Sequence, residues 1–456
     1  MVELVEEEVG ARKVGAFKVF PAAGISPVPM YLLSFDKDGA CISPRTRAQV
    51  LSELAGGGYS AVHVYSHGWN NVFTEAVAHY TEFFSEYFSL RAAAGMDNRA
   101  YRPLIVGILW PSTAFVAADE ATPGFAGAPP AAPAAVLADE VAAALPPEHA
   151  ARVAALALGT APLAPGASAE LASLLLPLLA GDERQGGMPA AAGLRADDVL
   201  RAWGGAVPEP GHRPGQPARL PSAAPGREDA QPAGLLGFLN PREILRKTTV
   251  FMMKDRAGVV GRTGVGALVR DLLDAGAAPD GARVHLTGHS YGARVMLSAL
   301  ASLPGPRKVA SVLLLQPAVN AWCFAEHVGG PDGPAGAYRA ALANVAQPVH
   351  TTFSDRDLAL GRFFELALRR RGEHGDLLSA GPGREYAALG AVGPLGMADG
   401  ECLTLPIAGP PQRDPPPAPG VRVVALDGSA GAIASHGDVR NPFTEWAMAR
   451  LVETAP

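Results

Sequence analysis

The sequence predicts an α/β fold, with a mostly parallel central sheet and helices on both faces, and three observations carry that prediction. Short β-branched and apolar runs alternate with stretches of helical apolar spacing, the order in which strand–helix–strand units build a parallel sheet. One run, Arg102 to Pro111, reads Arg-Pro-Leu-Ile-Val-Gly-Ile-Leu-Trp-Pro, too apolar for a half-exposed strand and suited to one buried on both sides. Another, Val284-His285-Leu286-Thr287, runs into Gly288-His289-Ser290-Tyr291-Gly292 and then into a helical set at Val295, Leu297, Leu300 and Leu303.

In chain order, Ala16 to Phe20 and Met30 to Phe35 are β-like runs separated by Pro- and Gly-containing turns, expected as antiparallel edge strands. Arg45 to Leu54 is helical and stops at Gly56-Gly57-Gly58. Ser60 to Ser66 is an apolar strand that ends in His67-Gly68-Trp69-Asn70. A helix over Thr74 to Arg91 carries Tyr80, Phe83, Phe84, Tyr87 and Phe88, an aromatic stripe expected in the core. The apolar strand 102–111 ends at Trp110-Pro111-Ser112.

From Thr113 to Leu239 the texture changes to Ala, Pro and Gly with few aromatics. Short helices are expected over Ala134 to Leu145, Glu148 to Leu158, Ala169 to Leu179 and Ala196 to Trp203, with a flexible, partly disordered loop over about 204–234. The strands on either side read as members of one sheet. The organisation expected is therefore one α/β domain, residues 1–112 and 240–456, interrupted between its fourth and fifth strands by a helical insertion at 113–239.

Asn240-Pro241-Arg242-Glu243 has the chemistry of a helix start, and helical texture continues past Gly261 and Gly266 to about Leu273. After the Gly-His-Ser-Tyr-Gly segment, Val309 to Leu315, Pro348 to Phe353 and Val421 to Leu426 read as further strands. A final amphipathic helix spans Pro442 to Val452, with Asp438 expected to open or cap it.

Composition narrows the function. Hydrophobic residues make up 48% of the 456, enough for a large core, and the formal net charge of −6 without a Lys/Arg run gives nucleic acid nothing to hold. Cys41, Cys323 and Cys402 are far apart and odd in number, so they are expected as packing residues rather than disulfides or metal ligands. No His/Asp/Glu cluster has ligand spacing, so neither a metal nor another cofactor is expected. The acidic start, Met1-Val2-Glu3-Leu4-Val5-Glu6-Glu7-Glu8, is unlike a secretory signal, and the most apolar helix, Leu171 to Leu179, is too short to span a membrane. A cytoplasmic protein without a membrane span is expected.

In a parallel sheet the strands end on one edge, so residues just past each strand become neighbours. The ends here are His67 to Asn70, Trp110 to Ser112, Ser290, Gln316-Pro317, Ser354 to Asp357 and Ser435 to Asp438. Ser290 sits where a nucleophile elbow holds its serine, on a tight strand-to-helix turn with the helix N-terminus aimed at it. Gly288 and Gly292 let strand and helix pass closely. A serine used in acyl transfer needs a base, a carboxylate to orient the base, and two N–H groups for the oxyanion. The N–H groups are expected from Tyr291 and from Trp69, with Asn70 as the one-residue alternative. His67, Asn70, Trp110, His289 and Gln316 are expected to line the substrate, His67 also serving as a strand-end residue bonded to backbone.

His67 to Asn70, Trp110 to Ser112, Gly288 to Gly292, Asp357-Leu358-Ala359-Leu360 and Ser435-His436 together resemble a poorly characterised bacterial branch of the α/β-hydrolases. The resemblance covers most of the chain outside 113–239. It implies the α/β-hydrolase fold and a serine hydrolase, with Ser290 as nucleophile, His436 as general base and acid, and Asp357 as orienting carboxylate. Serine, acid and histidine also occur in the order that fold uses. Asp355 remains a rival for the acid, and His289, His285, His63 and His67 for the base. The function expected is hydrolysis of a carboxylic ester or related acyl bond on a small molecule. The alternatives are a peptidase or acyltransferase of the same fold, or a silent scaffold that binds a partner through the insertion. Oligomeric state is not legible.

Overall fold

Residue type divides the sheet's two sides before any helix packs on them. In the computed structural model, which describes residues 15–21, 24–69, 71, 73–96, 100–112, 141, 145–157, 165–179, 196, 248, 252–277, 281–360 and 387–455, the strands form one nine-stranded sheet. They are β1 (Lys18–Phe20), β2 (Val28–Ser34), β3 (Ala61–Ser66), β4 (Pro103–Leu109), β5 (Arg283–His289), β6 (Ser311–Leu315), β7 (Val349–Phe353), β8 (Cys402–Pro406) and β9 (Val423–Asp427), in the spatial order β1-β2-β4-β3-β5-β6-β7-β9-β8. Alternation sends Leu104, Val106 and Ile108 of β4 to one side and Ile105 and Leu109 to the other; β6 sends Val312 and Leu314 one way, Leu313 and Leu315 the other.

Each side is closed by its own helices. α1 (Pro44–Ala55), a helical segment from 252 with a π-helical stretch (Val260–Val265), its continuation as a regular helix (Gly266–Ala275), and the helix after Ser290 (Tyr291–Ala301) cover the first side. α2 (Phe73–Ala93) and the C-terminal helix (Pro442–Glu453) cover the second, where Tyr80, Phe83, Phe84, Tyr87 and Trp446 meet Tyr65 and Leu313. Two helices within the inserted stretch are described, α3 (Pro147–Ala157) and α4 (Pro165–Leu179). Their Val153, Leu156, Leu171 and Leu175 belong to the same core cluster as Tyr291 and Val319. In chain order we number the helix 266–275 α5, the one after Ser290 α6, the short Leu389–Val392 helix α7 and the C-terminal one α8.

Four sequence expectations need correction or completion. Only β1 runs antiparallel; β2 pairs parallel with β4, Met30 opposite Ile105, because the 35–60 connection carries the chain back over α1. β8 went unread, since its residues are only half buried and its place comes from parallel pairing with β9. The C-terminal helix is capped by Asn441, whose Oδ1 accepts from Phe443 and Thr444 N–H groups, and not by Asp438. Asp438 instead accepts from Ala434 N–H and Asn441 Nδ2. The expected helices at 134–145 (apart from Val141 and Leu145) and 196–203 (apart from Ala196), the 204–234 loop and the Asn240 helix start lie outside the described residues.

Among the described residues no helix is long and apolar enough to cross a membrane.

Candidate active site

β5 delivers Ser290 at the edge of the sheet where the parallel strands end. Its backbone has φ 56 and ψ −122, a left-handed conformation costly for a residue with a Cβ. The turn is held from several directions: Ser290 N–H donates to Leu315 O at 3.1 Å, and Ser290 O accepts from Ala293 and Ala318 N–H groups at 3.1 and 3.2 Å. A Cβ on Gly292 would run into the backbone oxygens of Ser66 and His67, and one on Gly288 into the backbone of Gly292. Both glycines are there for close approach. α6 starts at Tyr291, so its positive end lies at the serine.

His436 Nε2 lies 2.8 Å from Ser290 Oγ, and His436 Nδ1 lies 2.8 Å from Asp357 Oδ2. A carboxylate can only accept, so Nδ1 carries the proton and the Nε2 lone pair faces the serine hydroxyl. All three side chains are buried, with Asp357 at 1% exposure. Asp357 Oδ1 accepts from Leu360 N–H at 2.9 Å, and Oδ2 also accepts from Gln316 Nε2 at 3.0 Å. Burial by itself raises the Asp357 pKa, but the charge of His436 and these hydrogen bonds outweigh it and leave the carboxyl below its ordinary value. Ser354 Oγ donates to Ile433 O, tying the acid loop to the histidine loop.

Asp355, the rival acid, is exposed, and its N–H donates to Ser429 Oγ. Of the rival bases, His63 and His285 stack on one another with centroids 5.2 Å apart inside the sheet; His63 Nε2 meets Tyr101 Oη and His285 Nδ1 meets Ser311 Oγ. Burial lowers the pKa of both, to about 3 for His285. Neither meets Ser290.

The two expected oxyanion donors lie on segments next to the serine. Tyr291 follows it directly, and the His67-Gly68-Trp69 turn is pressed against it: a Cβ built on Gly68 would stand 2.7 Å from Ser290 Cβ and 3.3 Å from Ser290 Oγ. Only glycine fits there. The turn is stapled by Asn71, whose Nδ2 donates to Gly68 O and Trp69 O at 3.2 and 3.1 Å, and by Ser112, whose Oγ accepts from Asn71 N–H at 3.3 Å. Tyr80 Oη accepts from His67 N–H and donates to Ile108 O. Of these, sequence alone places Gly68 and Ser112 in strand-end motifs and Tyr80 among the core aromatics and gives Asn71 no role, although the Asn70-Asn71 doublet after a Gly-aromatic turn carries its signal. Asn70 itself lies outside the described residues.

The residues expected to line the substrate fall into two groups. His67 and Trp110 stack with centroids 5.6 Å apart and planes 8° apart, and both border a cavity of about 310 Å³ shared with Phe35, Asn71, Phe73 and Ser112. Ser290 is not among its lining residues. Burial lowers the His67 pKa to about 4, and its Nδ1 bonds Gly68 O at 2.8 Å.

Gln316 and His289, expected to line the substrate, are bonded to the acid loop and to the base. Gln316 has no exposed surface, and its amide is spent on Asp357, Gly390 O and Thr352 Oγ1. Its φ of 41 places it on a strained turn after β6, where it orients the acid. His289 donates through Nε2 to His436 O at 3.0 Å and packs between the His436 and His79 rings, at centroid distances of 5.1 and 5.5 Å. Burial first, then His436, lowers its pKa to about 3. A neutral ring therefore backs His436.

Among the described residues no group of His, Cys, Asp and Glu could hold a metal ion. Comparison of the chain with family models, with curated proteins and with solved structures finds no match.

Proposed function

We propose that the protein is a serine hydrolase of the α/β-hydrolase type that cleaves a carboxylic ester or related acyl bond through an acyl-enzyme. The observation that carries this reading is the hydrogen-bonded series Ser290, His436, Asp357 ending at a serine of positive φ. A packing histidine has no need of a buried carboxylate on one nitrogen and a strained serine on the other.

In the proposed reaction Ser290 Oγ attacks the acyl carbon while His436 Nε2 takes its proton. Asp357 stabilises the imidazolium that forms. The carbonyl oxygen becomes an oxyanion, and the Tyr291 and Trp69 N–H groups are its proposed donors; losing one such donor costs roughly 3–4 kcal/mol in transition-state stabilisation. The carbon–oxygen bond to the alcohol then breaks, and His436 returns the proton to the departing oxygen. Water, deprotonated by His436, attacks the acyl-enzyme, and Ser290 regains its proton as the acid leaves.

A fluorophosphonate probe tests the reading. It is expected to label Ser290, identified by peptide mass mapping, and to leave Ser290→Ala unlabelled. Wild-type protein that resists the probe, or labelling that survives Ser290→Ala, overturns it.

A further inference from the structure

We propose that Arg294, with Asn320 and Trp322, forms a receptor for a carboxylate carried by the substrate, resting on the hydrolase reading for its place beside Ser290. Ser290, Arg294 and Ser298 follow at intervals of four along α6 and share one stripe of it. Both ends of that stripe touch the stretch following β6. Ala318 N–H donates to Ser290 O at 3.2 Å, and Ser298 Oγ lies 2.9 Å from Tyr338 Oη, while Tyr338 N–H donates to Cys323 O at 2.9 Å. Arg294 lies between these two contacts along the stripe, and from that position we infer that it faces the same stretch. Long helical side chains lean toward the N-terminus, which carries its guanidinium toward Ser290, about 6 Å along the axis.

Arg294 is 1% exposed, and its Nε and Nη2 have no hydrogen-bond partner among the described residues. This is a guanidinium in the interior with no carboxylate paired to it among the described residues, an arrangement folding does not favour for its own sake. Asn320, between Ala318 and Cys323 of that stretch, is 4% exposed; its Nδ2 is likewise unpaired, and its Oδ1 accepts from Trp322 N–H at 2.8 Å. Trp322 Nε1 is buried and unpaired too. Every unsatisfied atom of this group is a donor. A carboxylate answers that set, since its two oxygens fit a guanidinium fork and retain lone pairs for an amide and an indole N–H. A neutral acyl chain would leave all of them unmet.

The test compares matched esters: 4-nitrophenyl hydrogen glutarate against its methyl-capped form, and 4-acetoxybenzoate against its methyl ester. One charged member is expected to exceed its neutral partner by about 10- to 100-fold in kcat/KM. Arg294→Met should bring that ratio toward one, and Arg294→Lys should retain part of it. Equal use of both pairs by wild type, or a preference that survives Arg294→Met, overturns the receptor. Thermal shift with glutarate separates this from the hydrolase reading: Ser290→Ala should be stabilised as wild type is, and Arg294→Met should not. Glutarate binding without fluorophosphonate labelling would leave the receptor standing and remove the hydrolase. Labelling with neither glutarate binding nor a charge preference would do the reverse.

Discussion

Backbone strain at two residues marks this site. Ser290 and Gln316 are the two non-glycine residues of positive φ among those described, and they lie on neighbouring strand ends. One presents the hydroxyl; the other orients the carboxylate that orients the imidazole. Misfit of this kind persists only where the surroundings over-determine it, here the backbone bonds of Leu315 and Ala318 to Ser290 and the bond from Gln316 N–H to Thr352 Oγ1. The proposed roles of the two nearby acids then separate cleanly. Asp357→Asn replaces the carboxylate that fixes the His436 tautomer by a neutral amide that can donate to Nδ1, and is expected to lower turnover roughly 10⁴-fold with the fold intact. Asp355→Asn, at an exposed position, is expected to stay within a few-fold of wild type. Turnover of both variants, read against their circular dichroism and melting curves, checks the ranking, and the reverse order would move the acid.

Elements differ in how much of their placement sequence alone can reveal. β4 and β6 were legible because burial on both faces leaves an unbroken apolar run, and α2 because its aromatic stripe keeps helical spacing. β8 was not, since a half-exposed edge strand has little apolar signal and owes its position to its partner. The site divides in the same way. Strand ends bring serine, acid and histidine to one edge, which topology alone dictates, but whether Gln316 and His289 meet a substrate or the acid and base depends on side-chain direction, which spacing does not encode. Helix-on-helix packing also hides its electrostatics. Glu445 of α8 is buried, and burial, with Glu86 of α2 nearby, pushes its pKa up to about 7 from the ordinary 4.5. With the folded value above the unfolded one, the group costs nothing below about pH 4, its cost grows as pH rises through that interval, and it is constant above about 7. Glu445→Gln should therefore stabilise the protein at pH 8 by about 1–2 kcal/mol, solvent screening holding the figure down, and leave it unchanged near pH 4. Denaturant melts at the two pH values test this; a pH-independent difference would mean the carboxyl ionises normally in the fold.

At the scale of the whole molecule the question is what the inserted stretch packs upon. α3 and α4 are clasped by the Arg152–Glu170 pair, Nε to Oε1 at 2.6 Å and Nη2 to Oε2 at 2.8 Å, an exposed contact that orients two helices more than it stabilises them. Part of their apolar surface is buried against the rest of the described chain. Leu171 and Leu175 have no exposed surface, and they belong to the cluster that holds Trp110, Tyr291 and Val319, the residues around the strand ends. A buried leucine of this kind is worth about 2–5 kcal/mol against alanine, so this packing is a structural commitment. A cover anchored beside Ser290 would exclude water from the acyl-enzyme and wall an apolar acyl pocket. Replacing residues 113–239 by a short Gly/Ser linker should then lower the melting temperature and flatten the chain-length preference on 4-nitrophenyl esters several-fold, with fluorophosphonate labelling of Ser290 retained. A shortened protein of equal stability and unchanged preference would show that the insertion covers nothing the substrate touches.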